Sequence, residues 1–158
     1  FLMNIDNFID YYILLNLLSL HDNVGKNTFL GSQSEDDPIF IIPWDLEGAV
    51  GIMWNGDNTV GYTDILSNNL YNRLFELNPN NFKNKLKERW FELRNEVLET
   101  NNLINIFEIN FNQIINSNIM YIENTKWNKN INLLHEKENI NNWIINRVLY
   151  LDEFFTNL

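Results

Sequence analysis

Cysteine is absent from the 158 residues, and histidine occurs only at positions 21 and 135. No disulfide and no thiolate zinc site can form, and two histidines so far apart in sequence do not announce a histidine-based metal centre. Basic residues are scarce too: 11 Lys and Arg stand against 21 Asp and Glu, a formal net charge of −10. Sequence-independent binding to nucleic acid or anionic lipid depends on a surplus of Lys and Arg, so neither is expected as a general activity. Long apolar runs are missing as well. The longest, YYILLNLLSL, is short and broken by Asn16, so no membrane span is expected.

What the chain does have is a 45% apolar and 14% aromatic composition, enough for one compact domain over residues 1–158. Asparagine makes up about a fifth of the residues, so a single asparagine falls on any chosen motif position by composition alone. The opening FLMNIDNFIDYY carries helical periodicity without a signal-peptide pattern, and an upstream portion is expected.

Apolar positions from Phe8 to Leu18 predict a buried helix capped at Asp6 and running to about Leu20. His21 to Asn27 reads as a polar loop. The β-prone runs TFLGS and PIFIIPW flank QSEDD and predict a hairpin pairing residues 28–31 with 39–42. Four glycines between Gly48 and Tyr62 mark an irregular loop, in which Trp54 and Tyr62 are expected to pack against the helices. Helices follow: one capped at Asp64 or Ser67, one from Phe82 to near Glu99, one from a Thr100 cap through Ile115, and a last one carrying Ile140 to Phe155. The segment between the last two is mixed. The fold class is α+β, mostly helical.

The order of polar residues around the hairpin has a chemical reading. Protein kinases place a base and a metal-binding asparagine in a loop of the form H-R-D-x-x-x-x-N, then a magnesium-binding aspartate at the end of the following hairpin. HDNVGKN and WDLEG reproduce that spacing and order. A hairpin brings its two ends together, so the loop before the first strand and the turn after the second lie side by side. Asp22 then suits the base, while Asp45 suits a divalent metal with Asn27 as a metal-side and nucleotide-side amide. Glu47 is a further carboxylate beside that metal position. The bland readings are an Asx-turn for Asp22 and Asn27, a turn former for Asp45, and solvated charges for Glu47 and Lys26. His21 suits a packing or capping role, and His135 a surface helix position.

FIDYYILLNLLSLHDNVGKNTFL, FIIPWDLEGAVG and WIINRVLYLD together resemble the spore coat protein H (CotH) kinases. PWDLEG is similar to that family's P-W-D-x-D signature, with Glu47 where a second aspartate is common, and DNVGKN to its D-x-x-x-x-N loop. The resemblance implies an atypical protein-kinase-like C-terminal lobe, without the lobe that covers the nucleotide, and hence an isolated piece with little or no activity. It implies a secreted or surface-associated phosphotransferase acting on surface or coat protein hydroxyls. ATP and Mg²⁺, or Mn²⁺ or Ca²⁺, would be its cofactors, with Asp22 catalytic and Asp45, Asn27 and Glu47 on the metal side. Ordinary kinases carry a lysine two positions after the catalytic aspartate, where this chain has Val24. Two other readings stay open: a catalytically silent binding module using Trp54 and Tyr62 as contacts, and a glycosidase using Asp22 with Asp45 or Glu47 as its acid pair.

Overall fold

The computed structural model describes residues 3–58, 60–128 and 130–158. Among them are six α-helices and one two-stranded antiparallel sheet, an α+β arrangement dominated by helix. Helix α1, Ile5–Leu18, is the central element. Phe8, Ile9, Tyr12, Ile13 and Leu15 are all buried, and a helix apolar on nearly every side has to be enclosed by its neighbours. Its cap is Asn4, whose side chain accepts from the Asn7 N–H at 3.1 Å, and not Asp6. Asp6 is the second residue of the helix, in the first turn, where its charge faces the positive end of the helix dipole.

Strands β1, Thr28–Gly31, and β2, Phe40–Pro43, pair from Thr28 opposite Pro43 to Gly31 opposite Phe40. That register sits one residue later on the second strand than expected, because Ile39 is taken by a parallel bridge to Met3. Asn7 fixes β2 to α1: its side chain accepts from the Ile41 N–H at 2.7 Å and donates to the Ile41 carbonyl at 3.2 Å. A carboxamide carries the same donor and acceptor as a peptide unit, so Asn7 serves β2 as a one-residue neighbouring strand.

Helix α2, Asn69–Leu77, is capped by Asn68 rather than Asp64 or Ser67. The break to α3, Phe82–Arg94, runs through Asn78, Asn80 and Asn81, all at positive φ. Asparagine tolerates that left-handed region better than most residues, so here the compositional bias has a structural use. Helix α4, Thr100–Ile115, is capped by the Glu99 side chain, which accepts from the Asn102 N–H, and not by Thr100. Helix α5, Ile119–Trp127, lies in the segment whose pattern was mixed. Helix α6, Leu133–Thr156, begins well before Ile140.

Helices α3 and α6 close over α1. Trp90 and Phe155, both fully buried, stack at 4.7 Å, and the Trp90 indole N–H donates to Asp152 Oδ1 at 2.8 Å. Arg94 forks onto the same carboxylate through Nε at 3.0 Å and Nη2 at 3.3 Å. No described helix is long and apolar enough to cross a membrane.

Candidate active site

The site begins where α1 stops. Ser19 turns left-handed at φ 57°, and the next residue, Leu20, is fully buried, which drops the chain into a 3₁₀ turn over His21–Val24. The Asp22 carbonyl accepts from the Lys26 N–H at 3.0 Å and the Asn27 N–H at 3.2 Å, so the backbone curls around Asp22 and delivers Asn27 to the start of β1. The Asp22 side chain stays partly exposed and meets Lys26 Nζ at 3.2 Å. Both ends of that pair are wet, so it orients the carboxylate more than it stabilises the fold.

On the other side, β2 ends at Pro43 and Asp45 adopts φ 56°. A non-glycine residue there is uncommon, though aspartate tolerates it better than most. The Asn27 amide reaches Asp45, with Nδ2 at 3.4 Å from Oδ2 and 3.5 Å from the Asp45 carbonyl. Glu47 lies against Asp45 in turn. Its carboxyl is pushed above the ordinary range, first by a hydrogen bond with Asp45, then by the Asp45 charge, partial desolvation and the Asp22 charge, with Lys26 opposing. Asp22, Asn27, Asp45 and Glu47 therefore line one cleft.

Sequence reasoning passed over Asn23. It is 2% exposed and points inward between the two sides of the cleft. Nδ2 donates to the Asn27 carbonyl at 2.8 Å and to the Trp44 carbonyl at 2.7 Å. Its own carbonyl accepts from Thr28 Oγ1 and Tyr11 Oη, each at 2.8 Å. The signal was available in HDNVGKN, but one asparagine among so many carried no weight.

Gly48, Met53 and Trp54 complete the wall, with Trp54 67% exposed. Trp54 and Tyr62 are both exposed rather than packed against helices, since the Gly48 to Tyr62 loop is held by other groups. The Trp143 indole N–H donates to the Val60 carbonyl at 3.1 Å, and Arg147 Nη1 donates to the Tyr62 and Asp64 carbonyls at 2.7 Å each. His21 lines the cleft, with Nε2 3.5 Å from Ser19 Oγ, and His135 lies exposed in the first turn of α6.

The donor set is oxygen and amide only. Among the described residues, no three His, Cys, Asp or Glu side chains are gathered closely enough to hold an ion by themselves. Asp45 with Asn27 beside it fits a hard divalent cation that keeps waters and takes its remaining ligands from a phosphate chain. The crowding of Glu47 against Asp45 fits too, because two adjacent carboxylates are what a cation relieves. Asp22 lines the same cleft and, among the described residues, pairs with the exposed Lys26.

No curated protein and no solved structure matches the chain. The family model described as CotH kinase protein matches residues 2–151, and by that match over nearly its whole length the chain belongs to the CotH kinase protein family.

Proposed function

We propose that this kinase-related domain transfers the γ-phosphoryl group of ATP to a protein hydroxyl, with Asp22 as the base and Asp45, Asn27 and Glu47 on the metal side. The observation that carries the reading is the Asn27 amide at 3.4 Å from the Asp45 carboxylate, in the same cleft as Asp22. A bound divalent cation would neutralise charge on the phosphates and on the leaving diphosphate. Asp22 takes the proton from the acceptor hydroxyl as its oxygen bonds to the γ-phosphorus, and the bond from that phosphorus to the diphosphate oxygen breaks. Lys26, whose Nζ lies 3.2 Å from Asp22, would keep that carboxylate oriented.

Phe29, Ile42 and Trp44 leave an exposed apolar face on the hairpin beside the cleft, with the Phe29 and Trp44 rings edge to face at 5.9 Å. That face suits contact with a nucleotide-covering lobe, which supports reading the chain as the C-terminal lobe of a larger kinase. Membership in the CotH family supports a coat or surface protein as acceptor and a location outside the cell or on the spore surface. The same apolar rim also favours a second reading, a binding module that keeps metal and nucleotide without turnover.

Titration of Mg²⁺ and ATP separates the roles. Asp45→Ala should weaken nucleotide binding in the presence of Mg²⁺ and also transfer. Asp22→Ala should leave binding near wild type and slow transfer by about 10²- to 10⁴-fold. Equal losses of binding in both variants would contradict the assignment.

A further inference from the structure

The two sides of the cleft come from the loop before β1 and the turn after β2, and the Asn23 side chain bonds the backbone of both. We infer that Asn23 is a positioning residue, whose single carboxamide holds the Asp22–Asn27 loop and the Trp44–Asp45 segment in the register at which Asn27 and Asp45 face one ion. This rests on the metal-side reading of Asp45 and Asn27 given above, and extends it to a residue that touches neither substrate nor ion.

Asn23 Nδ2 carries two hydrogens, and the two carbonyls it meets, those of Asn27 and Trp44, belong to the amide ligand itself and to the residue immediately before Asp45. Each bond fixes the backbone within one residue of a proposed ligand. The ladder does not do this, because β1 and β2 pair only between Thr28 opposite Pro43 and Gly31 opposite Phe40. Trp44 and Asp45 lie past the last pair, and Asp45 is in the left-handed region, where the chain has left the strand direction.

The node itself cannot drift. Asn23 is 2% exposed, and its carbonyl is held by Thr28 from β1 and by Tyr11 from α1. The direct contact between Asn27 and Asp45, at 3.4 and 3.5 Å, is longer than the bonds Asn23 makes. Geometry at the ion is therefore transmitted through Asn23 more firmly than through the ligands' own contact.

The test uses terbium(III), a hard-oxygen probe whose luminescence is excited through nearby tryptophan, here Trp54 in the cleft wall and Trp44 beside Asp45. It is titrated into the full-length protein, its Asp45→Ala variant, Asn23→Leu and Asn23→Ser. Leucine matches asparagine in shape and adds no charge while removing both donors; serine keeps one. The expected result is a saturable site in the wild type that Asp45→Ala abolishes, with the terbium Kd raised about 10- to 100-fold in Asn23→Leu. Asn23→Ser should fall between.

Thermal melts accompany each titration, because a merely structural role would lower Tm and leave the Kd of the folded protein unchanged. If Asn23→Leu does not fold, Asn23→Ser decides the question by the same comparison. Wild-type terbium affinity in a folded Asn23 variant overturns the positioning role while leaving the site standing. A wild type with no terbium site sensitive to Asp45 overturns the metal-side reading and the positioning role together. Terbium binding as expected without any phosphate transfer removes the kinase reading and leaves the Asn23 role intact.

Discussion

Lys26 shows how a side chain's neighbours decide its work. It approaches Asp22 at 3.2 Å from four positions away, with its own side chain 75% exposed. Removing it with Lys26→Met should change stability by less than about 1 kcal/mol, because exposed pairs at this spacing contribute little. If Lys26 orients the base, phosphate transfer should fall while the melting temperature stays put, and a rate unchanged from wild type would return Lys26 to the solvated surface. At this scale, the juxtaposition of Asp22, Asn27, Asp45 and Glu47 was legible in the sequence, because hairpin geometry forces the two motifs together. Asn23 was not, since burial decides its importance and composition hides it. Nor was the contact of Lys26 with Asp22, which depends on the 3₁₀ turn that follows α1.

Among the elements, α6 does more than close the core. Arg147 is fully buried, its hydrogen bonds among the described residues all go to backbone carbonyls, and burial pulls its guanidinium down to about 10, so it stays charged at neutral pH. Its donors meet the carbonyls of Asn16, Tyr62 and Asp64, which ties the end of α1 and the loop behind the cleft to one helix. Arg147→Met should cost on the order of 3–5 kcal/mol, because those buried carbonyls lose their partners, and a chemical-denaturation midpoint close to wild type would contradict this. Gly51 meets the same helix one turn away. It has φ 87°, and an added Cβ would lie 2.6 Å from the Trp143 ring. Gly51→Ala should destabilise by about 1–3 kcal/mol and displace the loop that carries Met53 and Trp54, which the same denaturation series reads out. The helices themselves were legible from their apolar spacing, but their starts were not. Asn4, Asn68 and Glu99 took caps that the motif rules assigned to Asp6, to Asp64 or Ser67, and to Thr100, since several cap-competent residues stand side by side and tertiary contacts choose among them. Helix α5 was missed because it buries no residue and so has no apolar face to announce it.

For the whole molecule, a net charge of −10 surrounds a cleft that is itself acidic. On the proposed function, an acidic cleft would repel a free nucleotide and take one whose phosphates are already covered by a divalent cation, so activity should be absent without metal and should return on its addition. The α+β class and the hairpin between the two motifs were legible from order and spacing, whereas the closure of α3 and α6 over α1 depends on long-range partners such as Trp90 with Asp152 that no local pattern reveals. On the proposed function, the loop and the hairpin end form one phosphoryl-transfer site. Its most direct measurement is transfer of γ-labelled phosphate from ATP, with Mg²⁺, to protein acceptors by the full-length protein, alongside Asp22→Ala and Asp45→Ala. Label on protein hydroxyls is expected for the wild type, with a loss of about 10²-fold or more in each variant and no label after chelation. Undiminished labelling in folded Asp22→Ala and Asp45→Ala proteins would contradict it.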